Sequence, residues 1–293
     1  MADEKRTVGI VGASGFIGGE VARQASALGW RVVGFSRSPQ EPGDGINEWR
    51  KWSEVPDLSG LRVVVNLAGE PVDQRWTESA KRRFHESRVG VTEILTRAML
   101  TSPVPVLING SAVGFYGDRG DEVLDESAAA GDGYLADLCR EWESAADAAP
   151  DATRVVKLRT GVVLGSGGAA WKKMRTVFGF GLGGRFGDGR QWMPWIHVAD
   201  LAGGIVHLLD ADLDGSVNGS APEPERNAEF TRKLASALNR PAFFHAPAWG
   251  LKLGLGDFAS ALLASQRAVP NALLRSGFRF RYPTLESALA ELV

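Results

Sequence analysis

Gly12-Ala13-Ser14-Gly15-Phe16-Ile17-Gly18 decides the fold. It follows the apolar run Thr7-Val8-Gly9-Ile10-Val11. It opens a helical stripe of Ile17, Val21, Ala25 and Leu28, which Gly29 closes. Residues 31–35 are again apolar and β-branched. Strand, glycine turn, helix and strand in that order make a βαβ unit, which requires a parallel sheet. The glycines have G-x-x-G-x-x-G spacing. Gly12 allows the tight turn, Gly15 lets the backbone approach a pyrophosphate, and Gly18 lets the helix close on the strand. The helix N-terminus adds free N–H groups and a partial positive charge. Gly12, Ala13, Ser14, Gly15, Phe16, Ile17 and Gly18 are therefore expected to hold a dinucleotide.

Working outward, the second strand ends in Ser36-Arg37, and no Asp or Glu occurs from 32 to 40. A site for NAD places an acid there to bind the adenosine ribose; an arginine pairs instead with a 2′-phosphate. Ser36 and Arg37 thus predict NADP(H). A solvated charge at the strand end is the plainer reading of Arg37.

Residues 38–60 show no period, with at most one short strand near 46–52. Val63-Val64-Val65 reads as a buried strand. Residues 77–100 read as one long helix, capped by Thr77, with Phe84, Val91, Leu95 and Ala98 inward. Strands at 104–108 and 154–158 flank a helix at 133–148. Alternating strands and helices predict an α/β fold, a doubly wound parallel sheet of Rossmann type. From 161 to 189, ten of 29 residues are glycine and no strong period survives. Trp195-Ile196-His197-Val198 restores order, followed by a helix to about Leu209. Residues 222–293 look mostly helical, with a short aromatic strand from Phe278 to Tyr282. The expected organisation is an NADP-binding core over 1–165 and a glycine-rich pocket segment over 166–192. A return to the core over 193–221 and a smaller helical substrate lobe over 222–293 complete it.

Composition excludes several functions. The 33 basic and 35 acidic residues give 33 − 35 = −2, unlike the basic excess of a nucleic-acid binder. The lone cysteine, Cys139, rules out an internal disulfide and fits a reducing compartment, expected to be the cytoplasm. Met1 to Arg6 mix two acids with two bases, a poor signal peptide. The uncharged stretch 98–117 is interrupted by Pro103, Pro105, Asn109 and Ser111, so no membrane span is expected. The four histidines, at 85, 197, 207 and 245, lack metal-ligand spacing, and no metal is expected. There is no G-x-S-x-G elbow and no phosphate loop of the G-x-x-x-x-G-K kind, which disfavours hydrolase and NTPase functions.

The chain resembles the extended short-chain dehydrogenase/reductase superfamily. The matching pieces are the glycine turn, Asn66-Leu67-Ala68-Gly69, and Ser111-Ala112-Val113-Gly114-Phe115-Tyr116-Gly117. Leu158-Arg159-Thr160-Gly161-Val162-Val163-Leu164-Gly165 and Trp195-Ile196-His197-Val198-Ala199-Asp200 match as well. More narrowly it is similar to the atypical "epimerase family" group, once labelled cell-division inhibitors. Gly69-Glu70-Pro71-Val72 followed by Arg75-Trp76 supports that, as does Leu263-Ala264-Ser265-Gln266-Arg267-Ala268-Val269-Pro270 with Gly277-Phe278. The resemblance implies a dinucleotide site reaching Leu67, Ala68, Gly69, Glu70, Arg88, Gly161 and Val162. It brings no settled reaction.

Sugar-modifying members of the superfamily use a serine and a Tyr-x-x-x-Lys pair. Ser111 matches the serine and Tyr134 the tyrosine, but Leu138 stands where the lysine belongs. A lysine ammonium favours the phenolate. On the helix Tyr134 faces Asp137 and Leu138 instead: the acid disfavours ionisation, and the leucine removes water. Tyr134 is a candidate proton carrier, or simply part of an apolar stripe with Leu138, Trp142 and Ala145.

Glu70, Ser111, Tyr116, Gly161 and Val162 all follow strands and are expected to border one cleft. Glu70 is a candidate acid or base, or a surface acid. Lys172, Lys173, Arg175, Arg185 and Arg190 against the single acid Asp188 suggest a wrap for an anionic substrate; a solvated helix face explains the lysines equally well. Arg185, Arg190, Trp192 and His197 complete the expected substrate pocket, although His197 also reads as a fixed structural histidine. Two functions follow. One is an NADP(H)-dependent oxidoreductase or epimerase acting on a small polar substrate, sugar-like and anionic. The other is an NADP(H)-sensing regulatory protein linked to cell division. The expected partner is a small molecule, without nucleic acid or membrane, and a homo-oligomer is compatible with the chain.

Overall fold

The computed structural model describes residues 6–293; the expectation placed on Met1 to Lys5 lies outside them. Seven strands form one sheet: β1 (Thr7–Val11), β2 (Arg31–Ser36), β3 (Glu48–Lys51), β4 (Val63–Asn66), β5 (Val106–Ala112), β6 (Arg154–Thr160) and β7 (Gly215–Gly219). Their order is β7-β6-β5-β4-β1-β2-β3, and every pair is parallel. Parallel pairing needs crossovers; helices lie on both faces and supply all but the β2-to-β3 and β3-to-β4 connections. Val8, Ile10, Val32, Val63, Val65 and Ile108 pack under helices α1 (Phe16–Ala27) and α6 (Val198–Asp210). Val11, Val33, Val64 and Leu107 pack under α3 (Val91–Met99) and α4 (Tyr134–Asp147). Each fully buried Val, Leu or Ile contributes about 1.5–3 kcal/mol.

β1 lies between β2 and β4, so the chain order reverses at its carboxyl end. That is where an open α/β sheet leaves a crevice.

Three expectations change. The helix foreseen over 77–100 is three pieces: α2 (Glu78–His85), a π-helical turn (Glu86–Gly90) and α3. Thr77 does cap it, accepting from the Ala80 amide at 3.2 Å. The glycine-rich stretch contains α5 (Ala169–Gly179), because Trp171 and Phe178, two turns apart, are both buried. Its glycines serve contact: a Cβ on Gly165, Gly167 or Gly168 would come within 2.6–3.0 Å of the Phe16 ring. Phe278–Tyr282 forms no strand. The buried Asp200 carboxylate accepts the amides of Arg281 and Tyr282, at 2.7 and 2.8 Å, in place of a neighbouring strand.

The carboxyl-terminal part carries α7 (Asn227–Ala237), α8 (Ala248–Leu255), α9 (Phe258–Leu263), α10 (Asn271–Arg275) and α11 (Leu285–Leu292). One cluster holds Leu164, Trp171, Trp195, Phe230, Leu234 and Leu289, so it draws on all four expected segments.

Candidate functional site

The glycine turn is built by close approach. Gly12 has φ +86°, and a Cβ there would lie 3.0 Å from the Leu67 carbonyl oxygen. A Cβ on Gly18 would lie 2.2 Å from the Gly12 carbonyl oxygen. The Gly15 amide donates to that same oxygen at 2.9 Å. No side chain caps α1 at Gly15, so its first amides are free for a ligand.

Next to the turn, β4 ends in the loop Leu67–Glu70, held by buried polar groups. The Asn66 side chain donates to Asn109 Oδ1 (2.8 Å) and Thr92 Oγ1 (3.1 Å), and its own oxygen takes the Ala68 amide. Ser87 Oγ accepts the Glu70 amide at 2.9 Å.

A cleft of about 530 Å³ opens above these elements. Its wall includes Gly12, Ser14, Ser36, Arg37, Ala68, Gly69 and Glu70, which were all expected. Trp52 and Arg83 also line it and were not expected. Trp52 meets Phe35 edge-on at 6.3 Å. Arg83 reaches Glu70 Oε1 at 3.4 Å and Gln74 Oε1 at 3.1 Å. Both lay in segments read for pattern rather than chemistry: Trp52 follows an edge strand, and Arg83 sits on an outward helix face. Arg37 is exposed at the rim and makes no hydrogen bond or ion pair among the described residues.

Arg88 lies beneath the loop, on the π-helical turn. Its Nη2 donates to the Glu70 carbonyl at 3.0 Å, and its guanidinium covers the Trp142 ring at 5.3 Å.

The remaining candidates are not gathered around this cleft. Of Glu70, Ser111, Tyr116, Gly161 and Val162, expected on one cleft, only Glu70 lines it. Pleating turns Ser111 toward α4, where its hydroxyl donates to the buried Glu143 at 2.7 Å. Glu143 holds Arg159 through two 2.8 Å bonds, and Arg159 donates to the Tyr116 hydroxyl at 3.1 Å. That hydroxyl donates in turn to Asn218 at 2.8 Å, and burial pushes its pKa up. Gly161 and Val162 give their amides to the Gly219 and Pro194 carbonyls. Tyr134 donates its hydroxyl to the Lys81 carbonyl at 3.3 Å and packs on Trp76 at 5.2 Å. Burial raises its pKa, consistent with the leucine at 138. Ser111 and Tyr134 thus point to different partners in this conformation.

The expected substrate pocket is dispersed as well. Arg185 lines a separate cavity with Arg232, Arg240 and His245. Arg190 lies exposed beside the Asp188 turn. Trp192 is flanked by the guanidinium groups of Arg226 and Arg267, each 4.6 Å from its ring. His197 caps α6 and pairs with Glu291 at 3.0 Å, which fits its structural reading. These four residues all lie on the long crossover from β6 to β7, but they meet different partners.

A doubly wound sheet with a glycine cradle at its switch point defines a dinucleotide-binding protein of the short-chain dehydrogenase/reductase type. Residues 8–219 match the model of the NAD dependent epimerase/dehydratase family, and residues 246–292 match a domain of unknown function. The chain is 38% identical to an epimerase family protein of Mycobacterium leprae, covering 99% of this chain and 96% of the relative. It superposes on the human epimerase family protein SDR39U1, solved with NADPH, with a TM-score of 0.90 and 35% identity over 98% of both chains. A Corynebacterium glutamicum structure described as a nucleoside-diphosphate sugar epimerase gives a TM-score of 0.78 and 36% identity. That match covers 98% of this chain and 58% of the other. The chain belongs to the NAD dependent epimerase/dehydratase family. Among the described residues, no helix is long and apolar enough to cross a membrane.

Proposed function

We propose that the chain binds NADP(H) in this cleft and uses it as an oxidoreductase or epimerase on a small polar substrate. One observation carries the reading: Arg37, free of any carboxylate, sits at the rim of the same cleft as the glycine cradle. Gly12, Gly15 and the open end of α1 suit the pyrophosphate, Trp52 offers a ring to the adenine, and Arg37 suits a 2′-phosphate. Glu70, in the same wall, suits a hydroxyl of the cofactor. Bound NADP(H) supplies or accepts a hydride. The human relative solved with NADPH supports the coenzyme, and the Corynebacterium relative supports a phosphorylated sugar as substrate class. The single cysteine supports the cytoplasm as its place.

A second reading, NADP(H) sensing without turnover, is favoured by the engaged hydroxyls of Ser111 and Tyr134 and by Leu138 in the lysine position. Titration with NADPH and NADH tests the coenzyme: equal affinities remove the NADP(H) reading. Stopped-flow absorbance of the NADPH complex with sugar nucleotides and small carbonyl compounds separates the two functions. Turnover with any of them ends the sensing reading, and a nicotinamide band unchanged by all of them ends the enzymatic one.

A further inference from the structure

A second cavity, of about 480 Å³, opens in the carboxyl-terminal part and shares no lining residue with the coenzyme cleft. Small-molecule sites run to about 300–1,000 Å³. Its floor is one face of α7. Ala228, Thr231, Ala235 and Ser236 recur there at helical spacing, and their small side chains leave the space open. Its wall is a pair of short parallel strands, Gly184–Phe186 and Phe244–Ala246, whose register sets Arg185 beside His245. Gly189, at φ +74°, makes room for the arginine: a Cβ there would lie 3.1 Å from Arg185 Cδ and 2.9 Å from Ala228 Cβ. The Arg185 stem therefore passes within reach of α7.

This cavity offers donors and no acid: no carboxylate lines it. The Arg185 guanidinium makes no hydrogen bond or ion pair among the described residues. The Arg240 guanidinium reaches only carbonyls, Gly179 at 3.2 Å and Asn239 at 3.5 Å. Arg232 is paired with Glu229, outside the cavity wall. His245 is fixed by its Nε2, 2.6 Å from the Gly187 carbonyl. Thr231 is only 6% exposed, yet its hydroxyl has no hydrogen-bond partner among the described residues and stays open to the cavity. A hydroxyl so deeply placed is ordinarily paired. At the mouth, Phe243 is 91% exposed and Phe244 stands exposed beside it. Scattered apolar side chains at a surface need no explanation; two neighbouring rings at the mouth of a cation-lined cavity do. Guanidinium forks and a hydroxyl match phosphate oxygens, and a flat ring stacks on phenylalanine.

We propose that this cavity is a second ligand site, apart from the coenzyme cleft, for a small molecule that joins a diphosphate group to an aromatic ring, as a nucleoside diphosphate does. Arg185 and Arg240 pair with the phosphate oxygens, Thr231 donates to one of them, and Phe243 carries the ring. It is a site for binding, not for hydride transfer, and it stands whether or not the other cleft takes NADP(H).

The test is calorimetric titration of the whole chain with ADP and with inorganic pyrophosphate, under saturating NADPH so that the coenzyme cleft is filled. One equivalent of ADP is expected to bind, more tightly than pyrophosphate. Arg185→Ala and Arg240→Ala should each weaken ADP about tenfold or more, the range for a charged hydrogen bond. Thr231→Val, which keeps the shape and removes the hydroxyl, should weaken it about 2- to 12-fold. Phe243→Ala should bring ADP down to the pyrophosphate level. Arg97→Ala, an exposed position on α3 outside the cavity, should change nothing. Arg185, Arg240 and Phe243 are exposed, so their variants should melt with the unaltered protein. The proposal is overturned if neither probe saturates, if ADP and pyrophosphate bind equally, or if Arg185→Ala and Arg240→Ala bind ADP as the unaltered protein does. It is overturned as well if Arg97→Ala weakens ADP as much as they do. Should NADPH itself fail to bind, the coenzyme reading falls instead, and the same variants titrated without nucleotide decide this cavity.

Discussion

Gly18 shows how little room the phosphate turn leaves. The Cβ of an alanine there would fall 2.2 Å from the Gly12 carbonyl oxygen, backbone that cannot swing aside. Gly18→Ala should cost about 1–3 kcal/mol in urea unfolding, as overpacked sites do, and weaken NADPH binding with it. Arg37 has the opposite character, since it touches nothing that stability needs. Arg37→Ala should leave unfolding unchanged and raise the NADPH dissociation constant about 10- to 150-fold, with NADH affinity nearly constant. A similar loss for both nucleotides would show that Arg37 does not read the 2′-phosphate. Cys139 is buried, and burial pushes its thiol up to about 11. At pH 8 it should resist a thiol reagent until the protein unfolds; fast labelling of the native chain would contradict that. Because folding raises the thiol pKa above its ordinary value of 9.0, stability is unaffected below that value. It then falls as pH rises toward 11, by a total on the order of 3 kcal/mol.

Between elements, the chain Ser111–Glu143–Arg159–Tyr116–Asn218 ties α4 to β5, β6 and β7 through groups with almost no exposure. Its members are unequal. Glu143→Ala leaves the Arg159 guanidinium buried and unpaired and should cost about 3–5 kcal/mol in chemical denaturation. Ser111→Ala removes one bond to a charged partner and should cost about 1.5–3 kcal/mol. Equal losses would mean that the network is not organised around the ion pair. Part of this was legible beforehand: Ser111 and Tyr116 sit in a recognisable motif, and Arg159 in another. Their joint role was not legible, because Glu143 lies on the third turn of a helix read only for its apolar stripe. The pleat that turns Ser111 toward that helix depends on β5 running to Ala112, beyond the strand end that the apolar run at 104–108 marks.

For the whole molecule, the cleft is framed by β1, β2, β4 and the turn before α3, so a ligand filling it bridges the carboxyl ends of three neighbouring strands. NADPH at a hundred times its dissociation constant should stabilise the native state by about 2.7 kcal/mol, and NADH at the same concentration by less. Thermal unfolding with each nucleotide measures this. No shift with either would mean that the cleft does not take a dinucleotide.

The sequence by itself determined the strands β1 to β6, the glycine turn and the arginine at the close of β2; it did not mark β7. Those depend on residues close together in the chain: continuous apolar runs, a turn that only glycine allows, and the side chain at the end of one strand. Tertiary structure alone decided where the other candidates went. Ser111, Tyr134, Arg185 and His197 found partners at Glu143, Lys81, a separate arginine-lined cavity and Glu291. Arg88 was placed under Gly69 by a π-helical turn that no apolar period announces. Local pattern fixes which face a side chain takes on its own element. What it meets there is set by elements tens of residues away, packed by burial that a linear pattern does not encode.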